Sequence, residues 1–404
     1  VLNGLSKPVT VLRDGHGVPT IEAASLDDLF FAQGFVTAQD RFWSMDMYRR
    51  FASGELSAIL GSGYVKRDTY QRTLGFRQVA ERAVAALSPR DREYAEAYAR
   101  GVNAYIAEHQ HTLPAEFRVL RYFPRAWTVE DSFLVGASLV ESLNHGYYRA
   151  ELEREKILAR LGPELTNDLY VNTSFRDVPP GSDGGEIKAE PEKDYPEESS
   201  AAPRRETRDP STQRARARTR SAQDDTERGT EAVYEEVDAF LLALDGGELR
   251  PGSNNWVVSG AHTVGGKPLL CNDMHLGHSI PNIWYEEHLI SGDYNVAGVT
   301  LPGVPFVIVG HNQRIAWGIT NLGADVEDVF LENFNAQGQY QTPSGWQTPE
   351  MRHETIQVKG GKDVALDVVV TRHGPIISGL LKDEKRRLAL QSVNWDPRYP
   401  MTLP

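Results

Sequence analysis

The 404-residue chain is short of most features that would place it quickly, and each shortage excludes something. It has one cysteine, Cys271, so it can form neither an internal disulfide nor a cysteine-built zinc cluster. Cys271 is either a thiol nucleophile or a small apolar residue in a strand over 268–271, and the second reading is preferred. No stretch approaches the ~18 consecutive apolar residues of a membrane span. The start lacks a basic region leading into an apolar one. With 43 Lys and Arg against 56 Asp and Glu, the net charge of −13 argues against nucleic acid as a partner. There is no G-x-S-x-G and no H-E-x-x-H, and Gly15-His16-Gly17 does not extend to a dinucleotide fingerprint. What remains is an ordinary globular composition, 40% hydrophobic and 25% charged, in a chain long enough for two or three domain-sized units. The opening Val1-Leu2-Asn3-Gly4 suits a trimmed N-terminus, and the stop at Met401-Thr402-Leu403-Pro404, with no cap or tail, suggests truncation.

Three segments follow one another. The first, 1–176, opens with a short strand pair (9–13 among it) and turns helical. Ser25 caps a first helix with Asp27 and Asp28 in its first turn, and Ser88-Pro89 starts a second. Thr128 caps a third that runs through Glu141 to about 161 and closes at Gly162-Pro163. The second segment, 177–252, is rich in turn-formers and charges. Its basic run from Arg204 to Arg220 has no interleaved aromatics and is flanked by acids, so a solvated, disordered linker is the better account than a nucleic-acid patch. One amphipathic helix, 233–244, closes it. The third, 253–404, switches to strands over 256–259, 269–271, 295–299, 306–309, 315–319, 355–358, 364–370 and 388–393, with a hairpin turn at 262–267. Helices, a removable insert, then sheet predict an α+β body.

The chemistry gathers around Pro251-Gly252-Ser253-Asn254-Asn255-Trp256. A Gly-Ser step at the mouth of a strand, just after a linker, is either an unremarkable loop or a site of self-cleavage, where the Ser253 hydroxyl attacks the unhindered Gly252 carbonyl. Cleavage there leaves a hydroxyl and a free α-amine on one residue. Such an amine has a pKa of about 7.7–8.0, so near neutral pH part of it is unprotonated and can act as base for its own hydroxyl. Asn272-Asp273-Met274-His275-Leu276 follows the next strand, and His275 is either a satisfied core histidine or a group that orients the nucleophile. After 315–319, a backbone N–H can face a developing oxyanion. The run Asp325-Val326-Glu327-Asp328 is either a solvated acidic turn or a hard-cation site of the calcium kind.

Arg13-Asp14-Gly15-His16-Gly17-Val18-Pro19, Thr37-Ala38-Gln39-Asp40-Arg41, Gly252 to Trp256, Phe306 to Asn312 and Trp317 to Asp328 together resemble the penicillin acylase (penicillin amidase) family of N-terminal-nucleophile hydrolases, over almost the whole chain except the linker. The resemblance implies an αββα sandwich and self-cleavage into a helical α-chain and a sheet-rich β-chain that stay together as a heterodimer, with 177–252 containing the discarded spacer. It implies a periplasmic or secreted enzyme that acts on small N-acyl amides, β-lactam antibiotics or N-acyl-homoserine lactones. Ser253 matches the catalytic serine, and Asn321 the residue whose N–H lines the oxyanion hole. Asp325 and Asp328, with the Glu327 carbonyl, match the calcium ligands, joined by Glu151 or its neighbour Glu153. The oxyanion-hole Asn side chain of the family falls beyond Pro404. His275 stands where enzymes specific for penicillin G carry Gln, and resembles cephalosporin and acyl-homoserine-lactone acylases. Glu141, Ser142, Leu276 and Ile319 fall at acyl-pocket positions; Leu276 and Ile319 together imply an aliphatic lining, although a Glu141 carboxylate facing that pocket would repel a fatty chain. A catalytically silent, secreted calcium-binding scaffold is the alternative.

Overall fold

The computed structural model describes residues 3–144, 147–170, 222–244, 252–277, 279–321, 323, 325–393, 396 and 401–402. Contacts divide the chain into a main unit, Val1–Arg149 with Thr226–Pro404, and a smaller unit, Ala150–Asp225.

The main unit opens with the hairpin β1 (Thr10–Arg13) and β2 (Pro19–Glu22). Its turn is held by Asp14, whose Oδ1 accepts the N–H groups of His16 and Val18. Helix α1 (Leu26–Ser53) begins where Ser25 Oγ accepts the Asp28 N–H at 3.2 Å and ends at Gly54 in the left-handed conformation. It is kinked at Arg41. Then come α2 (Ser57–Leu60), α3 (Val65–Leu74), α4 (Phe76–Ala86), α5 (Pro89–Glu108), α6 (Ala115–Val119) and α7 (Val129–Asn144). Ser88 caps α5, with Pro89 in its first turn. Helices α3 and α4 start without a side-chain cap, which is why no local signal announces them.

The main sheet has six strands in the order β1-β2-β5-β6-β7-β8. Between β2 and it in sequence lie β3 (Gly252–Val258) and β4 (Leu269–His275), which pair only with each other. The sheet continues through β5 (Tyr285–Ser291), β6 (Tyr294–Thr300), β7 (Val309–Asn312) and β8 (Ala316–Trp317). Among the described residues only β2 and β5 run parallel, with Thr20 opposite His288. That pairing joins the expected α-chain segment to the expected β-chain segment. One face of the sheet meets α1 and α5 in a core of Ile21, Leu29, Phe30, Val36, Ala97 and Leu289. The two helices cross closely: a Cβ on Gly101 would come 1.8 Å from the Phe31 carbonyl oxygen, and one on Gly34 2.1 Å from that of Tyr98. No side chain fits either position.

Several polar groups are buried in this body, and two of them bear on its stability. Asp46 on α1 bonds both Arg49 and Arg50 and accepts the Tyr122 hydroxyl at 2.6 Å. Arg49 also reaches Asp131 on α7 at 2.9 Å. Burial alone would raise the Asp46 carboxyl, but the two guanidinium charges outweigh it and hold the group well below the usual carboxylate range. Glu287, on β5, points inward and has one partner, Gln33 of α1, while its Oε2 bonds nothing. Burial pushes its carboxyl up to about 8, only partly offset by Gln33.

The smaller unit contains most of α8 (Tyr147–Leu169), which is interrupted at Gly162 (φ 77°). Within it Glu153 pairs with Lys156 at 2.6 Å, and Arg154 lies over the Tyr170 ring. The single helix expected from Thr128 to about 161 is therefore two, α7 and α8, with 145–146 outside the described residues.

The α+β class is as expected. Most of the 177–252 linker lies outside the described residues; the amphipathic helix expected over 233–244 forms the second half of a longer helix, α9 (Ala222–Leu244). Val233 and Val237 are buried, Phe240 meets Tyr48 and Phe51 edge-on, and Tyr234 donates to the Leu60 carbonyl at 3.0 Å. An apolar stripe at helical spacing gave this stretch a face to bury. Among the described residues no helix is long and apolar enough to cross a membrane.

Candidate active site

Two motifs noted in the sequence turn out to build the frame. Arg13 holds Asp40 with two hydrogen bonds, at 2.7 and 3.0 Å, and Asp40 Oδ2 also accepts the Tyr285 hydroxyl at 2.6 Å. Arg41 donates to the Asn282 carbonyl at 2.9 Å. Hairpin, helix α1 and the entry to β5 are thereby pinned together beside the polar segment after β4.

Ser253 is the second residue of β3 and is half-buried. Its hydroxyl donates to the Gly252 carbonyl oxygen at 2.7 Å, so Oγ rests beside the carbonyl that self-cleavage would attack. The hairpin register sets Ser253 opposite Met274 and Gly252 opposite His275. Side chains alternate across a strand pair, so Ser253 shares a face with Asn255, Asn272 and Met274, while His275 and Asp273 lie on the other. His275 Nε2 bonds Asp273 Oδ2 at 2.7 Å, and its Nδ1 is 3.7 Å from where a Cβ on Gly252 would stand. The histidine thus flanks the Gly252–Ser253 junction from the far face rather than standing beside the Ser253 hydroxyl.

On the Ser253 face the neighbour is the segment after β8. Asn272 accepts the Ile319 N–H at 2.9 Å and donates to the carbonyls of Ile319 (2.9 Å) and Asn254 (3.1 Å). Thr320 Oγ1 donates to the Ser253 carbonyl at 3.3 Å. Asn321 follows, its side chain donating to the Leu143 carbonyl at the end of α7 and accepting the Gly323 N–H. The sequence by itself assigns no role to Asn272 or Thr320. Asn272 opens the polar stretch 272–276, but only the approach of the segment after β8 reveals what its amide does.

A cavity of about 180 Å³ opens nearby in the chain, walled by α1 (Trp43, Met47, Tyr48), α7 (Leu139, Ser142) and residues after β4 (Leu276, Ile280, Ile283 among them). Leu276 directly follows His275, and Ser142 directly precedes Leu143. Of the four expected pocket residues, Ser142 and Leu276 line this cavity. Glu141 is buried elsewhere, with both carboxylate oxygens accepting from Gln71 Nε2 at 2.7 and 2.8 Å, so its charge is turned toward α3. Ile319 is not among the lining residues and is 42% exposed. The fourth wall is α9, through Glu236, Val237, Ala239 and Phe240.

The acidic run lies at the start of β9 (Glu327–Leu331). Asp325 and Asp328 are exposed, and Glu327 is buried with Oε2 accepting the Tyr148 N–H at 3.3 Å. Two exposed carboxylates, of which Asp325 accepts the Glu327 N–H at 3.5 Å, and a strand carbonyl are hard oxygen donors that suit calcium in kind, though fewer than the six to eight it takes. Among the described residues no three His, Cys, Asp or Glu side chains converge as a metal cage. Glu151 belongs to the smaller unit.

Residues 8–402 match the family model described as Penicillin amidase. The chain is 32% identical over 391 residues to the acyl-homoserine lactone acylase QuiP of Pseudomonas aeruginosa, covering 96% of this chain and 42% of that protein. It is 31% identical to the penicillin acylase 2 proenzyme of Pseudomonas sp. strain SE83, over 93% of this chain and 44% of that one, and 27% identical to the penicillin G acylase of Escherichia coli, over 92% and 46%. The chain therefore spans under half the length of these relatives.

Proposed function

Because the chain belongs to the penicillin amidase family, we propose that it forms part of the precursor of an N-terminal serine amidohydrolase whose nucleophile is Ser253. The observation that carries this reading is the Ser253 hydroxyl held on the Gly252 carbonyl oxygen at the mouth of β3. In self-cleavage Oγ forms a bond to the Gly252 carbonyl carbon, the C–N bond breaks, and the Oγ proton ends on the released amine. Water then hydrolyses the ester, leaving Gly252 as a carboxylate and Ser253 with a free α-amine. That amine next takes the Oγ proton as the hydroxyl attacks the carbonyl of an N-acyl substrate, and delivers it to the leaving amine. The Asn321 N–H faces the oxyanion, and water releases the acyl group from Ser253. Asp273 holds His275 in one orientation beside the Gly252–Ser253 junction, on the face of the hairpin away from the Ser253 hydroxyl.

The α- and β-chains would remain a heterodimer through the β2–β5 pairing and the α1 core. A periplasmic or secreted location goes with this reading. So does a structural calcium ion, toward which Asp325, Asp328 and the Glu327 carbonyl would supply the main unit's ligands.

For the acyl group, the lining by Met47, Leu139, Leu276, Ile280 and Ile283 favours aliphatic chains, and the turned-away Glu141 removes the repulsion its sequence position suggested. Release of 177–252 would take the α9 wall with it and widen the cavity. Each buried methylene is worth ~0.8 kcal/mol, or about fourfold in specificity constant, until the pocket is full. The test is kcat/KM for hexanoyl, decanoyl and phenylacetyl amides of one chromogenic amine, with mass spectrometry of the protein. A new N-terminus at Ser253 and a rise with aliphatic chain length are expected. Turnover without that N-terminus would overturn the nucleophile, and a phenylacetyl preference would overturn the acyl assignment.

A further inference from the structure

We propose that Asn272 is the positioning residue that sets the distance between the Ser253 hydroxyl and the backbone N–H of Asn321. The proposal rests on the functional reading above and adds to it a residue that reaches neither substrate nor reacting atoms. One carboxamide spans the gap between two separate stretches of chain. Its oxygen accepts the Ile319 N–H, and its nitrogen donates to the Ile319 and Asn254 carbonyls. Asn254 is the residue after the nucleophile, and Ile319 lies two before Asn321.

The chemistry demanded at this position is narrow. An amide offers an acceptor and two donors from one planar group, whereas aspartate lacks the donors and leucine, of similar shape, lacks both. Glutamine would be a methylene too long, because the facing backbone is already in contact. A Cβ on Gly318 would lie 2.8 Å from the Asn272 Cβ and Oδ1. The bare backbone at 318 and the amide at 272 therefore fit one another, and this close approach is an observation independent of the hydrogen bonds. Thr320, bonding the Ser253 carbonyl, adds a second tie in the same direction.

Oxyanion donors act within about 2.7–3.1 Å of the charge, and a misplacement of about 1 Å can lower rate on the order of 10²-fold. Asn272 is only half-buried, so its bonds compete with water and weigh little in overall stability. Losing them should slow chemistry much more than it loosens the fold.

The experiment uses the full-length gene product with one chromogenic N-acyl amide, following kcat, KM, chain splitting and melting temperature. Asn272→Ala and Asn272→Leu are expected to lower kcat roughly 10- to 100-fold with KM within about threefold. Gly318→Ala, which pushes on the same contact from the other side, should do likewise. Combining Asn272→Gly with Gly318→Ala should lose less than the product of the two single effects, because the new methyl then has room. Should the Asn272 variants fail to fold, Gly318→Ala carries the test. An unchanged kcat in these variants of an active enzyme, or a rise in KM alone, overturns this proposal and leaves the functional reading standing. A wild type that neither splits at Ser253 nor turns over amides overturns both.

Discussion

Replacing Glu287 by Gln should make the protein more stable at alkaline pH and flatten its pH dependence. Glu287 is fully buried between β5 and α1, with Gln33 donating to one oxygen and nothing bonding the other. Burial raises its carboxyl from an ordinary 4.5 to about 8. Between those values the native protein keeps the proton while the unfolded chain has lost it. Stability is therefore full below about 4.5, falls as pH rises toward 8 and levels off above. At about 1.36 kcal/mol per pH unit, the loss between pH 5 and pH 8 comes to about 3–4 kcal/mol, a sizeable part of the ~5–15 kcal/mol of a typical domain. Glutamine keeps the acceptor for Gln33 and has no charge to bury, so it should escape this loss. Urea unfolding of wild type and Glu287→Gln at pH 5, 6, 7 and 8, read by tryptophan fluorescence, isolates the effect because all other titrating groups are common to both. The gap should widen in favour of the variant by about that amount. Parallel curves over the whole range would refute the argument.

Asp46→Ala should destabilise by about 3–5 kcal/mol, since it leaves the buried Arg49 and Arg50 short of a carboxylate; a urea midpoint within error of wild type would contradict this. Ser253→Ala should abolish both chain splitting and amide hydrolysis, whereas Ser253→Cys should still split in part, because a thiol can perform the acyl shift. Gel electrophoresis of the purified variants decides between these outcomes, and normal splitting of the alanine variant would remove Ser253 from the mechanism. Chelation by EGTA should lower the melting temperature and calcium restore it, with Asp328→Ala impairing splitting more than KM. An unchanged melting curve in chelator would count against the ion.

What the sequence determined by itself is local. Ser25 and Ser88 announce α1 and α5 because an N-cap is a contact between residues three apart. The turn at 262–267 announces the β3–β4 hairpin, and that hairpin carries Gly252–Ser253 and the Asn272–His275 motif into register. Where local signals are weak the sequence is silent: Glu286 and Glu287 break an apolar run and hide β5, yet it is central in the main sheet, with one of those glutamates facing the core. The tertiary structure alone decided four matters of the site. Strand parity turned His275 to the face away from Ser253. Helix packing turned Glu141 toward Gln71 and out of the pocket. An apolar stripe brought α9 onto Tyr48 and Phe51 as a wall of the cavity. Pairing between Asn272 and Ile319 gave the site a link that spacing along the chain does not encode. Capping and turn energies act between neighbours, so they can be read along the chain. Which face a side chain shows, and which distant backbone it meets, is settled only when remote segments close on one another.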